Sequence, residues 1–178
     1  MKAVALIVAM LGLALPNVTF AEGRTVPLRD VTVVQNGRGL ARVLFRLGEI
    51  EFSDRMIVER ALLAIPHGGA AESRRLELRI CPITGAWSGW DTPFDEELAS
   101  RAFLDLRGDG TAMFDFTVPL KELLEDGASF DGFVLTSGSE KEGLALGDLA
   151  RLGSLAGAQL TIGVNALPSG LPPRLRRR

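Results

Sequence analysis

The chain has no tyrosine, one cysteine, one histidine and two tryptophans among 178 residues. Each shortage removes a class of chemistry. One cysteine cannot close an internal disulfide, so stability must come from burial, although an exported chain is free to use bridges. His67 would have to serve any histidine-based triad. It stands in Pro66-His67-Gly68-Gly69, which reads as a solvated loop, and no second histidine four residues away offers a zinc pair. The missing tyrosine argues against a broad aromatic cleft for sugars. The formal net charge is −2, without the clustered positive charge that general nucleic-acid binding wants, so no nucleic-acid partner is expected. Internal repeats are also missing.

Met1-Lys2 is followed by the apolar run Ala3 to Leu15, then by Pro16 and Thr19-Phe20-Ala21. A charged start, a short hydrophobic segment and small residues at the −3 and −1 positions make up a secretory signal peptide, so 1-21 is expected to be removed after Ala21. Pro16-Asn17 stops the run short of the roughly 20 residues that cross a bilayer, and no later stretch is long enough. No integral membrane span is expected after cleavage. The cleavage site has no cysteine, which excludes lipid attachment there. The remaining chain carries 19 basic against 22 acidic residues, a charge of −3, and a secreted or periplasmic location is expected.

The body alternates apolar and polar residues over short runs, the pattern of antiparallel strands with one buried face. Val31 and Val33 flank Thr32. Ala41, Val43, Phe45 and Leu47 share one face, with Arg42 and Arg46 on the other. Leu76, Leu78 and Ile80 alternate with Glu77 and Arg79, and Ala112, Phe114 and Phe116 with Met113, Asp115 and Thr117. Leu160, Ile162 and Val164 alternate with Gln159 and Thr161. With Met56 to Ile65, Phe103 to Leu106 and Phe130 to Thr136 these make about eight strands. The fold class expected is all-β, an antiparallel β-sandwich of jelly-roll type. One or two short helices are expected, at Pro119 to Glu125 and at Leu144 to Leu155. Residues 25-164 read as one domain, and 165-178 as a flexible basic tail in which prolines oppose packing and Arg174, Arg176, Arg177 and Arg178 repel one another.

The stretch CPITGAWSGWDTPF, Cys81 to Phe94, holds the cysteine and both tryptophans. Strict alternation puts Cys81 on the solvent side of its strand, but a bulge at Pro82 would turn it inward as a small apolar residue. An exposed thiol would instead suggest an intermolecular disulfide. Trp87 and Trp90 flank Ser88-Gly89, so a turn there brings two indoles to one platform. A flat indole can lie on the apolar face of a sugar while its N–H reaches a hydroxyl, with Asp91 and Asp95 as acceptors. The alternative is that the indoles are packing residues. Asp91, Asp95, Glu96 and Glu97 could offer oxygen ligands to a structural calcium ion, or form a solvated acidic loop; no other cofactor is indicated. Arg107-Gly108-Asp109-Gly110 reads as a hairpin turn, not an adhesion motif.

Phe45-Arg46-Leu47, Ile50, Val58, Ala61, Leu63 and Ile65 follow the spacing of the opening "F-D-L…I…I…A-x-L-x-L" of the DNRLRE, or disaggregatase-related, domains. Ile83-Thr84-Gly85-Ala86-Trp87 resembles that family's "V-T-x-x-W" corner. Phe114-Asp115-Phe116-Thr117 with Val118 to Gly127 is similar to its "F-D-V-T…V…W…G" segment, and Gly132-Phe133-Val134-Leu135 to its "G-F-V-L" strand. The chain departs from the pattern at Arg46, where the family commonly has Asp, and at Leu123 or Leu124, where it commonly has Trp. The resemblance implies a secreted, usually non-catalytic β-sandwich of the carbohydrate-binding-module type, in which the Trp87 position packs to close the sheet.

The function expected is therefore an exported, non-catalytic module that binds extracellular polysaccharide through Trp87, Trp90 and Asp91, or serves as a structural part of a cell-surface assembly. The alternatives are a protein-interaction subunit, whose surface or secreted protein partner meets strand edges or Cys81, and a polysaccharide hydrolase or lyase without a recognisable motif.

Overall fold

The structure is a computed structural model that describes residues 22–53, 56–68, 75–105, 109–125, 130–138, 143–155 and 157–166. The expected signal peptide, the tail beyond 166 and the Arg107-Gly108 half of the hairpin motif lie outside them. Nine strands carry the fold: β1 (Glu22–Gln35), β2 (Leu40–Leu47), β3 (Met56–His67), β4 (Arg75–Pro82), β5 (Ser100–Asp105), β6 (Gly110–Asp115), β7 (Phe133–Ser137), β8 (Leu144–Ala145) and β9 (Gln159–Ala166). All pairings are antiparallel, and the strand order is β5-β4-β7-β2-β1-β9-β3-β6, with β8 added on β2. The chain is thus an all-β sandwich that is nearly barrel-shaped. One wall is β1-β9-β3-β6 and the other β2-β7-β4-β5, the arrangement of a jelly roll.

β1 joins the two walls. Its first half, Glu22 to Pro27, pairs with β9, and its second half, from Leu28 to Gln35, pairs with β2. The crossing needs a sharp bend, and the register slips between Arg29 and Thr32 where Asp30 adopts φ +50°. Such an irregularity turns a strand from one sheet into the next. Among the described residues the second half pairs with β2 alone, and Val31 and Val33 are 40% and 43% exposed instead of sealed in a core. On the far side β5 and β6 are neighbours without a ladder among the described residues. They are tied where the Ser100 hydroxyl donates to the Asp115 carbonyl at 2.6 Å.

The inward positions of the alternating runs fill the interior: Val43 and Phe45, Leu63 and Ile65, Leu78 and Ile80, Phe114, Leu160 and Ile162 are all buried. A bulge between Val58 and Arg60 lets Val58 and Ala61, three apart, both point inward. Where the ladder with β6 stops at Leu62, backbone N–H groups of β3 are taken by the helix that follows β6, α1 (Thr117–Leu124), and by Glu125 at its end. Val58 N donates to the Glu125 carboxylate at 2.8 Å, and Ala61 N to the Thr117 hydroxyl at 3.0 Å. Pro119 lies in the first turn of α1, as expected, and Leu120 packs into the core. The second expected helix is a composite of β8, the six-residue α2 (Leu146–Arg151) and a 3-10 turn at Gly153–Leu155.

Phe133 is the hub of the aromatic core. It stacks on Phe45 (centroids 5.8 Å apart) and meets Phe116 (4.7 Å) and Phe130 (6.3 Å) edge-on. Phe133→Ala is expected to lower unfolding free energy by about 3–5 kcal/mol, lost contacts and cavity together. Phe103→Ala, at a ring that is 58% exposed, is expected to cost less than about 1 kcal/mol. Urea denaturation of the two variants checks both.

Candidate functional site

The outward face of β2 offers Arg42, Leu44 and Arg46 in alternation with the core residues. Its neighbours add Val134 from β7 and Cys81 from β4. Leu44, Val134 and Cys81 are apolar and outward, so this wall has two hydrophobic faces, and the segment between β4 and β5 folds over the outer one. Ile83, Trp87, Phe94 and Ala99 from that segment complete a second small core. Its backbone is pinned at both ends. Ile83 bridges to Phe94, Asp95 N donates to the Pro82 carbonyl (2.8 Å), and Ile83 and the Asp131–Gly132 backbone exchange hydrogen bonds of 2.9 and 3.0 Å.

The loop clamps each arginine with one indole. The Arg46 guanidinium lies 4.4 Å from the centroid of Trp87, and that of Arg42 lies 4.1 Å from Trp90 with Phe94 at 5.1 Å on. Trp87 Nε1 donates to the Asp131 carbonyl. Gly132, at φ +113°, and Gly143 make room: a Cβ on the first would lie 2.6 Å from the Phe45 carbonyl oxygen, and one on the second 2.7 Å from the Trp90 ring. Trp90 rides on a 3-10 turn, Gly89–Asp91, closed by buried Thr92, whose hydroxyl donates to the Gly89 carbonyl (2.8 Å) and accepts from Ser88 N (2.9 Å).

The two arginines differ in their charge partners. Arg46 donates to Asp131 (2.6 Å) and to Asp30 (3.3 Å), contacts that raise its pKa above the ordinary arginine value. Arg42 is only 7% exposed and forms no ion pair among the described residues. Its Nη1 donates to the Trp90 carbonyl at 2.7 Å, and its buried Nε finds no acceptor among the described residues. Burial lowers the Arg42 pKa, an effect that the fields of Asp91 and Glu96 only partly offset.

Trp87 and Trp90 are both half-buried, and Asp91 is exposed beside Trp90. The two indoles cap different arginines, four positions apart along β2, instead of flanking one flat platform. Two grooves open elsewhere. One of about 670 Å³ is lined by Glu59, Arg60, Ser100, Arg101, Asp115 and Val118. The other, of about 340 Å³, is lined by Leu47, Ile50, Leu123, Leu124 and Phe130 with Arg46 at its rim. Neither is lined by Trp87, Trp90 or Asp91. The chain matches no family model and no curated protein.

Other sequence candidates fall as follows. His67 is not a solvated loop residue: it ends β3, is 8% exposed, and its ring covers Gly110, where a Cβ would lie 2.7 Å from Nε2. Asp95 accepts from Glu97 N at 2.8 Å, and no three His, Cys, Asp or Glu side chains gather as a metal site among the described residues. Arg42, Arg46 and Gly143 were not legible as site residues. The available signal was two outward arginines four apart on one strand and two tryptophans three apart on a loop.

Cys81 keeps the strand phase, with Ile80 and Cys81 pairing to Leu135 and Val134 without a slip. Pro82 needs no bulge, because the ladder with β5 ends at Ile80 and only β7 pairs beyond it. Cys81 therefore faces outward, as alternation says, and is buried because the loop covers it. Burial pushes the thiol up to about 12, with Glu96 adding to the shift. The native protein is expected to resist an aromatic disulfide reagent until denaturant is added. Because the unfolded thiol ionises near 9.0 and the folded one near 12, the unfolded state loses this proton first as pH rises. Stability should then fall with a slope of up to about 1.4 kcal/mol per pH unit in that window. Cys81→Ala should flatten this limb, measured by urea unfolding at stepped alkaline pH; no tyrosine ionisation complicates it.

Proposed function

We propose that the protein is an exported, non-catalytic β-sandwich module that binds extracellular carbohydrate at the Trp90 turn. The observation that carries this reading is a half-buried indole fixed against Arg42, with the exposed carboxylate of Asp91 next to it. A fixed ring stacks on the apolar face of a sugar with little loss of conformational freedom, and a carboxylate beside it accepts from ring hydroxyls. Trp87 supports the site by anchoring the loop. The resemblance to DNRLRE domains and the jelly-roll architecture, which recurs among lectins, favour the same reading. Binding is favoured over catalysis because the two side chains best suited to nucleophilic or acid–base work, Cys81 and His67, are both buried.

A protein-assembly role is the second reading. It is favoured by Phe103 and Met113, 58% and 46% exposed on the outer faces of β5 and β6, the two strands that meet without a ladder.

Affinity electrophoresis of the full chain through gels holding neutral or uronate-containing polysaccharides separates the two. Retardation in at least one gel is expected, with Trp90→Ala losing it and Asp91→Asn weakening it several-fold while the thermal unfolding midpoint of Asp91→Asn stays within a few degrees. Unchanged migration in every gel sinks the carbohydrate reading and leaves the assembly role.

A further inference from the structure

Arg42 and Arg46 form an internal comparison. Both project from the outer face of β2, both lie against an indole of the same loop, and only one is neutralised. Arg46 is held by two carboxylates and is half-exposed, so it needs no ligand. Arg42 is the more buried of the pair, and burial makes an unmatched charge costly. Among the described residues it has one hydrogen bond, to a main-chain carbonyl, and its Nε has no partner. Asp91 and Glu96 act on it from beyond contact distance; they favour its charged form without filling its donors. Buried donors with no partner are rare in folded proteins and call for one, which water, an ion or a ligand can supply.

We infer that Arg42 is a carboxylate receptor, and that the ligand at the Trp90 turn is an acidic, uronate-bearing polysaccharide. This rests on the carbohydrate reading of that turn and narrows it to one substrate class. The Nε–Nη2 edge of a guanidinium presents two parallel donors at the spacing of a carboxylate's oxygens. Nη1 is already committed to the Trp90 carbonyl, so Nε and Nη2 remain for the ligand. Trp90 and Phe94 fix the plane of the guanidinium, as the stacking partners of a recognition arginine do. Nη2 makes no hydrogen bond among the described residues and, unlike Nε, is not sealed from solvent, so it is the end of this edge that a ligand meets first. A uronate then stacks on Trp90 while its carboxylate meets Arg42.

The test compares polygalacturonate with its methyl ester, which masks the carboxylate and leaves the sugar face unchanged. Binding by the full chain is measured by affinity electrophoresis and titration calorimetry. The acid form is expected to bind about 10- to 100-fold more tightly than the ester, the range of a charge-assisted hydrogen bond. Arg42→Gln is expected to bring the acid down to the ester's affinity with ester binding preserved, which also reports that the variant is folded. Arg42→Lys, which keeps the charge and loses the fork, should recover only part of the difference. Equal binding of acid and ester by the wild-type chain overturns the inference and leaves sugar stacking on Trp90 intact. So does a preference for the acid that survives in Arg42→Gln. Retention on neutral glucan or galactan, with none on polygalacturonate or alginate, overturns the uronate assignment alone; no retention on any polymer overturns the carbohydrate reading with it.

Discussion

The wall formed by β2, β7 and β4 is apolar on both faces, and most of what is distinctive in the molecule follows from that constraint. Phe45, Phe133 and Ile80 point into the barrel, while Leu44, Val134 and Cys81 point out of it. A sheet with one wet face needs no cover; this one exposes a continuous patch unless something lies across it. The segment from Ile83 to Ala99 is that cover. It explains why a cysteine at an outward strand position is inert, and why two large indoles sit on a loop with their rings against arginines of the sheet. It also explains why glycine stands at 132 and 143, where a methyl group would collide with backbone and indole.

The same cover creates an electrostatic problem at its margins. Arginines 42 and 46 alternate with Leu44, so any lid over Leu44 must run across at least one of them. An arginine suits this position better than a lysine, because its flat, weakly hydrated guanidinium lies against an indole and exchanges hydration for ring contact. A ring contact gives about 0.5–2 kcal/mol, less than burial of an unpaired ion takes away. At Arg46 two aspartates supply the difference. Asp131 comes from the segment leading into β7, and Asp30 from the left-handed residue at the bend of β1, so one distortion both turns the strand and supplies a counter-ion. At Arg42 nothing in the described chain does so.

The alternation of apolar residues was enough to place nearly every strand and, with the turn signals, the sandwich architecture. Leu76, Leu78 and Ile80, or Phe114 and Phe116, are where the two-residue period says they are. Period says which face a residue takes and nothing about what lies over that face. Arg42 was therefore assigned the right side and the wrong environment, while Cys81 is buried, one of the two readings open for it, because the loop covers it and not because a bulge turns it inward. His67 failed in the same way: the glycines after it read as a loop, but β3 continues through it and its ring fills the space left by Gly110. Val31 and Val33 failed in the opposite sense. Their alternation is real, but the bend in β1 carries that half of the strand beyond the cover of β9. Bulges and bends are set by tertiary fit, and the local pattern carries little trace of them.

The position of the site follows from the same mechanics. Jelly rolls commonly offer their ends, where loops gather, yet here the aromatic stretch lies on the flank of one wall. Its two halves are unequally fastened. The Trp87 half is held by the backbone exchange between Ile83 and Asp131–Gly132, by the indole N–H on Asp131, and by the saturated Arg46 beneath. The Trp90 half is a three-residue turn closed mainly by the hydroxyl of Thr92, over an arginine that uses one of its five donors among the described residues. Rigid support at one end and unspent hydrogen-bonding capacity at the other is how binding sites are built on stable sheets, since the anchored part fixes the geometry and the weaker part makes the contact. The unequal partners of the two arginines thus give the loop a direction, and under the carbohydrate reading proposed above Trp87 is its foot and Trp90 its binding end.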